Sequence, residues 1–402
     1  MKTKLKMKNT AILINSLSSG GAERVVSILI NEFFDQGLPI KLVCFERKIF
    51  YKIPEGSYID FIGSFSGNEH PILKLISIPF LAWKLKKYVK KNNISIVQSH
   101  IYRANYVNIF SKIFGSKHVV QIVNRGQVGQ YRKEGLLGKI NILLIKFLYP
   151  KADLVISIAK GMLYDMEKEV MLHSRKMVIN NPYNYFEIQC QSTEKIDDFD
   201  FKENKIYLIT MGRCIKLKSQ ITIIKCLKYL DSNHELIILG DGPEKVNLIN
   251  LSKSLSLNER VHFLGIKKNP FKYIKNSDIF ILSSTTEGFP NALVEAMICG
   301  IPVISTDCVS GPREILAPDT CLKNQLVNTV EYAKYGILFP IENAELLTEA
   351  VKTLTNNKNV YQQYRKAGLK RAQDFDVKII VEKYKNVLGF MDMVNNENNP
   401  IS

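Results

Sequence analysis

Short apolar runs alternate with helix-like periods along the whole chain. In the first half, strand-like runs at residues 10–15 and 40–45 flank an amphipathic helix at residues 22–36, which ends at Gly37. Further strands are predicted at residues 94–98, 118–123, 154–158 and 177–179. Strands separated by helical crossovers are typical of parallel sheets, so this half predicts an α/β domain.

The same alternation starts again in the second half. The predicted strands are residues 206–211, 235–239, 261–263, 278–282, 302–305 and 336–339, and the predicted helices are residues 219–230, 244–255 and 291–299. Three last helices, at residues 342–355, 360–371 and 377–391, carry no evident chemistry, and we expect them to pack against the sheets.

A polar, acidic stretch without a clear period, residues 189–204, follows Asn181-Pro182 and separates the two halves. We therefore predict an α/β protein with two Rossmann-like, doubly wound domains, residues 1–182 and 183–375. We expect a C-terminal helix and tail, residues 376–402, to pack back on the first domain. Ligands of such sheets bind at the carboxyl ends of the strands, which predicts a ligand in a cleft between the domains.

The composition narrows the class of protein. A chain of 402 residues with 46% hydrophobic content is long enough for two buried cores. No apolar run approaches the roughly 20 residues of a bilayer-spanning helix, and the Lys-rich start lacks a signal-peptide cleavage site. Seven scattered cysteines without a C-x-x-C pair favour reduced thiols over disulfides or zinc. These features predict a cytoplasmic protein.

The positive charge is concentrated in the first half. Residues 1–182 hold 28 Lys and Arg against 12 Asp and Glu, a net charge of +16, whereas residues 183–402 hold 27 against 26. Such a one-sided field attracts nucleic acid, an anionic membrane or a phosphorylated substrate. The alternative is a general bias toward Lys in a chain that is also rich in Asn and Ile.

A glycine pair follows the first predicted strand. Gly20 and Gly21 allow a ligand to approach the backbone where the first helix starts, which is typical of an anion site. The loop is neither a G-x-G-x-x-G fingerprint nor a Walker loop. A plain turn remains an equal alternative.

The corresponding turn of the second domain carries two cations. Arg213 offers a planar fork for phosphate oxygens, and Lys218, five residues later, brings a second positive charge to the same group. Lys216 is more typical of a rim charge. In the next such turn, Asp241 of a G-D-G-P sequence has a turn-forming role in our interpretation. The strand that ends near Ile266 predicts backbone amides facing a planar base.

The most specific element is residues 287–295, which read EGFPNALVE. Glu287 and Glu295 lie eight residues apart across a turn and a helix start. The backbone of this turn, which comprises Gly288, Phe289, Pro290 and Asn291, exposes N–H groups at the positive end of the helix, as a pyrophosphate site would. We expect Glu287 to face the cleft and Glu295 to accept hydrogen bonds from a ribose diol.

Taken together, four motifs resemble glycosyltransferase family 4, the retaining, nucleotide-sugar-dependent enzymes of the GT-B fold. They are SGGAERV near the N-terminus, G-R-x4-K, GDGP and EGFPNALVEAM, in the same order along nearly the whole chain. The first motif and the stretch STDCVSGPREIL are similar to members that extend lipid-linked oligosaccharides for O-antigen, capsule or N-glycan assembly.

The resemblance implies roles for these residues. Arg213 and Lys218 would bind the donor diphosphate in place of a metal, Glu287 would face the donor sugar, and Glu295 would hold the ribose. Gly20 and Gly21 would lie near the diphosphate, and His100 would line the sugar site. Relatives often have a histidine where this chain has Asn124 and Arg125.

The resemblance also implies partners. We expect a hexose or N-acetylhexosamine donor, UDP-linked as in relatives, a polyprenyl-diphosphate-linked saccharide acceptor, no metal cofactor and no nucleic acid. An acceptor of this kind would place the enzyme on the inner face of the plasma membrane. Residues 71–91, which combine six Lys with an apolar strip, could touch lipid there, or could form an ordinary crossover helix that Pro79 kinks.

Three other classes of protein are alternatives to a glycosyltransferase. A sugar-nucleotide epimerase shares the GT-B architecture, but it would not be expected to combine the two acidic residues of the fourth motif with the basic loop. A phosphorylase would be longer and would need a Schiff-base lysine. A basic protein that binds nucleic acid or membrane without catalysis would suit the first half alone, and it gives no reason for the phosphate loops of the second.

Overall fold

The computed structural model of the protein describes residues 9–390, apart from positions 19, 66–68, 134 and 324. The described chain divides into two compact units. The first contains the chain up to Ile158, Met162–Pro182 and the chain from Val377 onward, and the second contains Ala159–Gly161 and Tyr183–Asp376. The Lys-rich start and the tail after residue 390 lie outside the described residues.

The first unit is a parallel sheet covered by helices. Its strands are β1 (Thr10–Ile14), β2 (Ile40–Glu46), β3 (Ile59–Phe65), β4 (Ile96–His100), β5 (Val119–Asn124), β6 (Leu154–Ser157) and β7 (Arg175–Val178). The helices are α1 (Gly21–Asp35), α2 (Pro71–Ile76), α3 (Ile78–Lys91), α4 (Tyr102–Ile113), α5 (Gly135–Leu148) and α6 (Lys160–Glu169). The strand order is β3-β2-β1-β4-β5-β6-β7.

The second unit has the same plan. Its strands are β8 (Ile206–Met211), β9 (His234–Leu239), β10 (Val261–Gly265), β11 (Ile279–Leu282), β12 (Val303–Thr306), β13 (Glu331–Tyr332) and β14 (Ile337–Phe339). The helices are α7 (Tyr185–Ser192), α8 (Gln220–Leu227), α9 (Lys245–Ser254), α10 (Phe271–Lys275), α11 (Asn291–Cys299), α12 (Pro312–Leu316), α13 (Ala344–Asn356) and α14 (Lys358–Ala372). The order is β10-β9-β8-β11-β12-β14-β13, and only β13 is antiparallel to its neighbour.

The predicted α/β class, with two doubly wound sheets, is therefore confirmed. Each sheet is buried between helices because its strands are apolar on both faces; all five residues of β1, for example, are buried. Helix α1 turns one apolar stripe, which includes Val26, Ile30 and Phe33, inward. Each unit has its own hydrophobic cluster of buried side chains.

The last helix, α15 (Val377–Leu388), follows the second unit in sequence and belongs to the first unit. Gln121 in β5 donates a hydrogen bond to the Val387 carbonyl at 2.5 Å, and Thr10 in β1 donates to the Leu388 carbonyl at 3.5 Å. The first unit is therefore built from the beginning and the end of the chain.

Residues 71–91 form two helices, α2 and α3, that meet at Ser77. Pro79 occupies the second position of α3, where a helix tolerates proline, so the break lies just before it. Leu81, Leu85 and Val89 are buried against the core, as a crossover helix requires. No helix among the described residues is both long and apolar enough to cross a bilayer.

Candidate active site

The strand order of each sheet reverses at one point, and open α/β sheets bind ligands at the carboxyl ends of the strands beside that point. In the second unit the reversal lies between β8 and β11. The loops after these strands carry Arg213, Lys218 and Glu287. The fold therefore places Glu287 at the same edge of the sheet as the loop that carries Arg213 and Lys218, although Glu287 lies 69 residues after Lys218.

The loop after β8 is shaped by close contacts with the loop after β9. A Cβ atom on Gly240 would overlap the Gly212 carbonyl, so only glycine fits there. The Cys214 N–H donates to the Asp241 carbonyl at 2.9 Å, which fixes the loop that carries Arg213. Arg213 itself is exposed, and its side chain makes no hydrogen bond or ion pair with the described part of the chain. Its guanidinium is available to a ligand.

Lys218 ends a short 3-10 turn, and its side chain crosses to the loop after β11. The Lys218 Nζ lies 2.6 Å from Glu287 Oε1. Ser284 donates a hydrogen bond to the same oxygen at 2.6 Å, and the Ser283 hydroxyl donates to the Lys218 carbonyl at 2.8 Å. Glu287 is thus held by a cation and a hydroxyl at the edge of the sheet.

The turn after Glu287 leads directly into α11. Pro290 is the residue before the helix and Asn291 its first residue, so the positive end of the helix lies at this turn. Gly288 accepts a hydrogen bond from the Ser310 hydroxyl, and Phe289 packs edge-on against Phe375. Tyr183 donates to Asn291 Oδ1 at 2.7 Å. These contacts fix a helix start that can receive an anion.

Glu295 and Ile266 have opposite environments. Glu295 lies one turn into α11 and is 1% exposed, whereas Ile266 follows β10 and is 81% exposed. The predicted contacts of Glu295 with a ribose and of the Ile266 backbone with a base stay predictions. Asp241 accepts hydrogen bonds from Gly242 N and Lys245 Nζ, as expected of a turn-forming residue, and these contacts lower the pKa of its carboxyl.

In the first unit, the strand order reverses between β1 and β4. Gly20 is the residue before α1, Gly21 is its first residue, and Ser19 lies outside the described residues. A Cβ atom on Gly20 would clash with the carboxylate of Glu23, so this carboxylate lies over the start of the helix. Burial raises the pKa of Glu23, and the positive charge of Arg125 opposes that shift.

His100 ends β4 on the other side of this reversal and is completely buried. Its Nδ1 faces the Arg125 guanidinium, with Nε of Arg125 at 3.2 Å, and its Nε2 lies 3.2 Å from Gln98 Oε1. Burial, assisted by the Arg125 charge, holds the pKa of His100 well below its ordinary value. The sequence alone did not indicate that Arg125 is the direct partner of His100.

Sequence reasoning also missed Ser284 and Tyr183, which hold Glu287 and Asn291. A signal for Ser284 was present, because it lies in a run of small hydroxyl residues directly after an apolar strand. Tyr183 gave no such signal, since it lies 108 residues before its partner. Within the described residues, no group of three or more His, Cys, Asp and Glu side chains is arranged to hold a metal ion.

Doubly wound sheets with cations and a helix start at the reversal define a class of phosphate-binding α/β proteins. Two family models match the chain: Glycosyltransferase Family 4 over residues 19–185, and Glycosyl transferases group 1 over residues 191–371. The chain belongs to this glycosyltransferase family and is a glycosyltransferase, as its motifs predicted.

Relatives of known name match the chain over more than half of its length. One is the N-acetylgalactosamine-N,N'-diacetylbacillosaminyl-diphospho-undecaprenol 4-alpha-N-acetylgalactosaminyltransferase of Campylobacter jejuni, 32% identical over 95% of this chain and 100% of that protein. An O-antigen biosynthesis glycosyltransferase of Escherichia coli is 30% identical over 56% of this chain and 71% of that protein.

Solved structures have the same fold. The Anabaena protein HepE in complex with UDP matches with a TM-score of 0.75 and 18% identity, over 95% of this chain and 100% of that one. Sucrose-phosphate synthase from Thermosynechococcus elongatus matches with a TM-score of 0.76 and 16% identity, over 96% and 100%. The GT-B fold expected from the sequence is confirmed.

Proposed function

We propose that the protein transfers a hexose or an N-acetylhexosamine from a nucleotide sugar to a polyprenyl-diphosphate-linked saccharide, with retention of anomeric configuration. The acceptor class is supported by the Campylobacter jejuni relative, whose name specifies a diphospho-undecaprenol saccharide and whose whole length aligns with this chain. The product would be an intermediate in surface polysaccharide or glycan assembly, as for the O-antigen relative.

The observation that carries the donor side is the Lys218–Glu287 pair at the reversal of the second sheet. Breaking the bond between sugar and phosphate leaves negative charge on the nucleotide and positive character on the sugar. Lys218, together with the exposed Arg213, would stabilise the departing diphosphate. Glu287 would lie beside the sugar, where its carboxylate positions hydroxyl groups.

This arrangement supplies its positive charge from side chains. Lys218 and Arg213 would do the work that a divalent cation does in other glycosyltransferases, so we propose a metal-independent reaction. The start of α11, at Gly288 and Asn291, would add backbone donors to the diphosphate. Catalysis would then rest on positioning and on electrostatic stabilisation of the leaving group.

UDP is the proposed nucleotide. Support comes from neighbours of the same fold, several of which are complexes with UDP. The base would lie along the backbone after β10, near Ile266, and the ribose diol would hydrogen-bond Glu295. Glu295 is buried, so a ribose would reach its carboxylate only from the space directly next to α11.

We further propose that the first unit docks on an anionic membrane, at the inner face of the plasma membrane. Helices α2 and α3 expose large apolar side chains that the core does not use: Ile72, Leu73, Ile76, Phe80 and Trp83. Lys84 lies over the Phe80 ring at 4.6 Å and Lys87 over the Trp83 ring at 3.5 Å. Aromatic rings beside ammonium groups suit the headgroup region of such a membrane.

The proposal is tested by incubating the protein with a panel of UDP- and GDP-sugars and a polyprenyl-diphosphate-linked saccharide, with product mass as the readout. We expect one donor to add a single hexose or N-acetylhexosamine to the lipid-linked acceptor. The same saccharide without its lipid diphosphate is the control acceptor. Equal transfer to both acceptors would contradict the proposed acceptor class.

A further inference from the structure

A chain of side-chain hydrogen bonds runs along the first sheet from Arg125 to the last helix. Arg125 contacts His100 Nδ1, with Nε at 3.2 Å and NH2 at 3.1 Å. His100 Nε2 lies 3.2 Å from Gln98 Oε1, and Gln98 donates to Gln121 Oε1 at 2.9 Å. Gln121 donates to the Val387 carbonyl at 2.5 Å.

Each hydrogen bond in this series, from Arg125 to the last helix, has one possible direction. A guanidinium is only a donor, so His100 Nδ1 must be the acceptor and the ring proton must lie on Nε2. The Nε2–H group then donates to Gln98 Oε1, which leaves the Gln98 amide nitrogen to donate to Gln121. Gln98 and Gln121 are paired in the β4–β5 register, so the backbone itself brings them together.

The chain of hydrogen bonds uses both ring nitrogens of His100. The ring is completely buried, and its lowered pKa keeps it in the neutral form that can accept from Arg125. The next residue, Ile101, has φ 73, a costly conformation for a β-branched residue. This strained turn fixes the end of β4 where His100 points at Arg125.

Arg125, unlike His100, is partly exposed at the carboxyl end of β5. Its NH1 donates to Asn181 Oδ1 at 2.8 Å, and its charge acts on Glu23 at the start of α1. Next to it, Asn124 is 6% exposed and its Nδ2 donor has no hydrogen-bond partner among the described residues. Buried polar groups are normally paired, so this donor calls for an oxygen, from water or from a ligand, that the described residues do not supply.

We propose that Arg125 and Asn124 form a binding subsite for the oxygens of a substrate diphosphate, and that His100 is a positioning residue that acts through Arg125. The guanidinium fork recognises paired phosphate oxygens, and the Asn124 amide supplies a neutral donor beside it. The inference rests on the proposed function for the presence of two diphosphate substrates, the nucleotide sugar and the lipid-linked acceptor.

The experiment measures binding of UDP and of geranyl diphosphate to the full-length protein by calorimetry. R125K should weaken binding of at least one of them about tenfold or more, because a lysine lacks the fork. N124A should weaken the same ligand by a smaller factor. Weaker binding of UDP alone assigns the subsite to the donor diphosphate, and weaker binding of geranyl diphosphate alone assigns it to the acceptor diphosphate. Weaker binding of both means that the subsite receives either diphosphate.

Two substitutions of His100 by amide side chains distinguish a role in positioning Arg125 from direct contact with the ligand. An asparagine at position 100 places its oxygen near the former Nδ1, where it can still accept from Arg125, whereas a glutamine places its amide near the former Nε2. We expect H100N to retain binding within about threefold and H100Q to resemble R125K. The unfolding midpoint of each variant confirms that binding is measured on folded protein.

Three results would overturn the inference: wild-type protein that binds neither diphosphate, folded R125K that binds both as wild type does, or H100Q that binds better than H100N. Absence of product from the donor panel, combined with Arg125-dependent diphosphate binding, would refute the proposed transfer reaction and leave the subsite standing.

Discussion

Lys218 and Glu287 are 69 residues apart in sequence, and their side chains meet with Nζ 2.6 Å from Oε1. The contact joins the loops after β8 and β11 across the reversal of the second sheet. Both side chains retain some exposure, 27% for Lys218 and 11% for Glu287. A substrate that enters at this edge therefore meets a cation and a carboxylate whose distance is already set.

Removing either side chain should nearly abolish sugar transfer. We expect Glu287→Ala and Lys218→Ala each to lower kcat by a factor on the order of 10² or more, because each would act on charge that develops in the transition state. The measurement is kcat with the donor and acceptor identified by the panel. Lys216→Ala, an exposed neighbour on the same loop, is the matched control and should retain wild-type activity. Transfer within a few-fold of wild type in either variant would remove that residue from the site.

Arg213→Lys should lower kcat/KM for the donor at least about tenfold, since a point charge does not reproduce the two-pronged contact of a guanidinium. The exposed Arg213 side chain makes no hydrogen bond or ion pair with a described residue, so the substitution should leave the unfolding midpoint unchanged. Full activity in this variant would mean that Arg213 is only a surface charge.

Turnover should continue in EDTA at the rate measured without it. The physical reason is that Arg213 and Lys218 already place two positive charges where the diphosphate would lie. The check is initial velocity after treatment with EDTA, followed by addition of Mg²⁺ or Mn²⁺. Activity that disappears and returns with the metal would contradict the metal-independent reaction.

Acidification should destabilise the first unit through buried neutral histidines. His118 contacts Asn108 Oδ1 at 2.8 Å and the Ser116 hydroxyl at 2.9 Å, and burial lowers its pKa to about 4. The unfolded chain takes up a proton near pH 6.5 and the folded chain does not, so stability is lost as the pH falls below about 6.5. Between pH 6.5 and 5, His118 alone should cost about 2 kcal/mol.

Trp83, the single tryptophan, lies in the first unit, so its fluorescence in urea follows this transition. His118→Gln should flatten the pH dependence of the urea midpoint because glutamine takes up no proton. His173→Gln, at an exposed histidine, is the control and should leave the dependence as in wild type. Equal slopes for His118→Gln and wild type would show that His118 is not the source.

Anionic vesicles should bind the full-length protein in a salt-sensitive way and shift the emission of Trp83 to shorter wavelength. Each Lys near such a surface contributes about 1 kcal/mol, screened over a Debye length of about 8 Å at physiological salt. Lys84→Glu with Lys87→Glu should reduce co-sedimentation, whereas Lys228→Glu with Lys253→Glu, in the second unit, should not. Binding that ignores lipid charge and salt would contradict docking through α2 and α3.

The periodicity of the sequence predicted most elements of both sheets, because parallel strands buried on both faces are continuous apolar runs. β8 and α11 begin and end at the predicted residues. β3 was missed because Asp60, Gly63 and Ser64 interrupt its apolar pattern. The interruption at Gly63 has a physical cause, since a Cβ atom there would overlap the Phe45 carbonyl in β2.

The meeting of Lys218 and Glu287 was predictable because both residues lie in short loops directly after strands, and the strand ends of one sheet share an edge. The environment of His100 was not predictable in the same way. It depends on which side chains meet across β4, β5 and α15. That in turn depends on the strand register and on the path of a helix whose Val387 lies 266 residues after Gln121. Two glutamines inside apolar strands were the available signal.

The return of α15 to the first unit constrains the order in which the chain can fold during synthesis. All residues of the second unit are available once Asp376 has left the ribosome, because its other segment, Ala159–Gly161, is synthesised earlier. The first unit, although synthesised first, lacks the helix that receives the Gln121 hydrogen bond until Val377–Leu388 have emerged. The half that is translated first is therefore the half that finishes folding last.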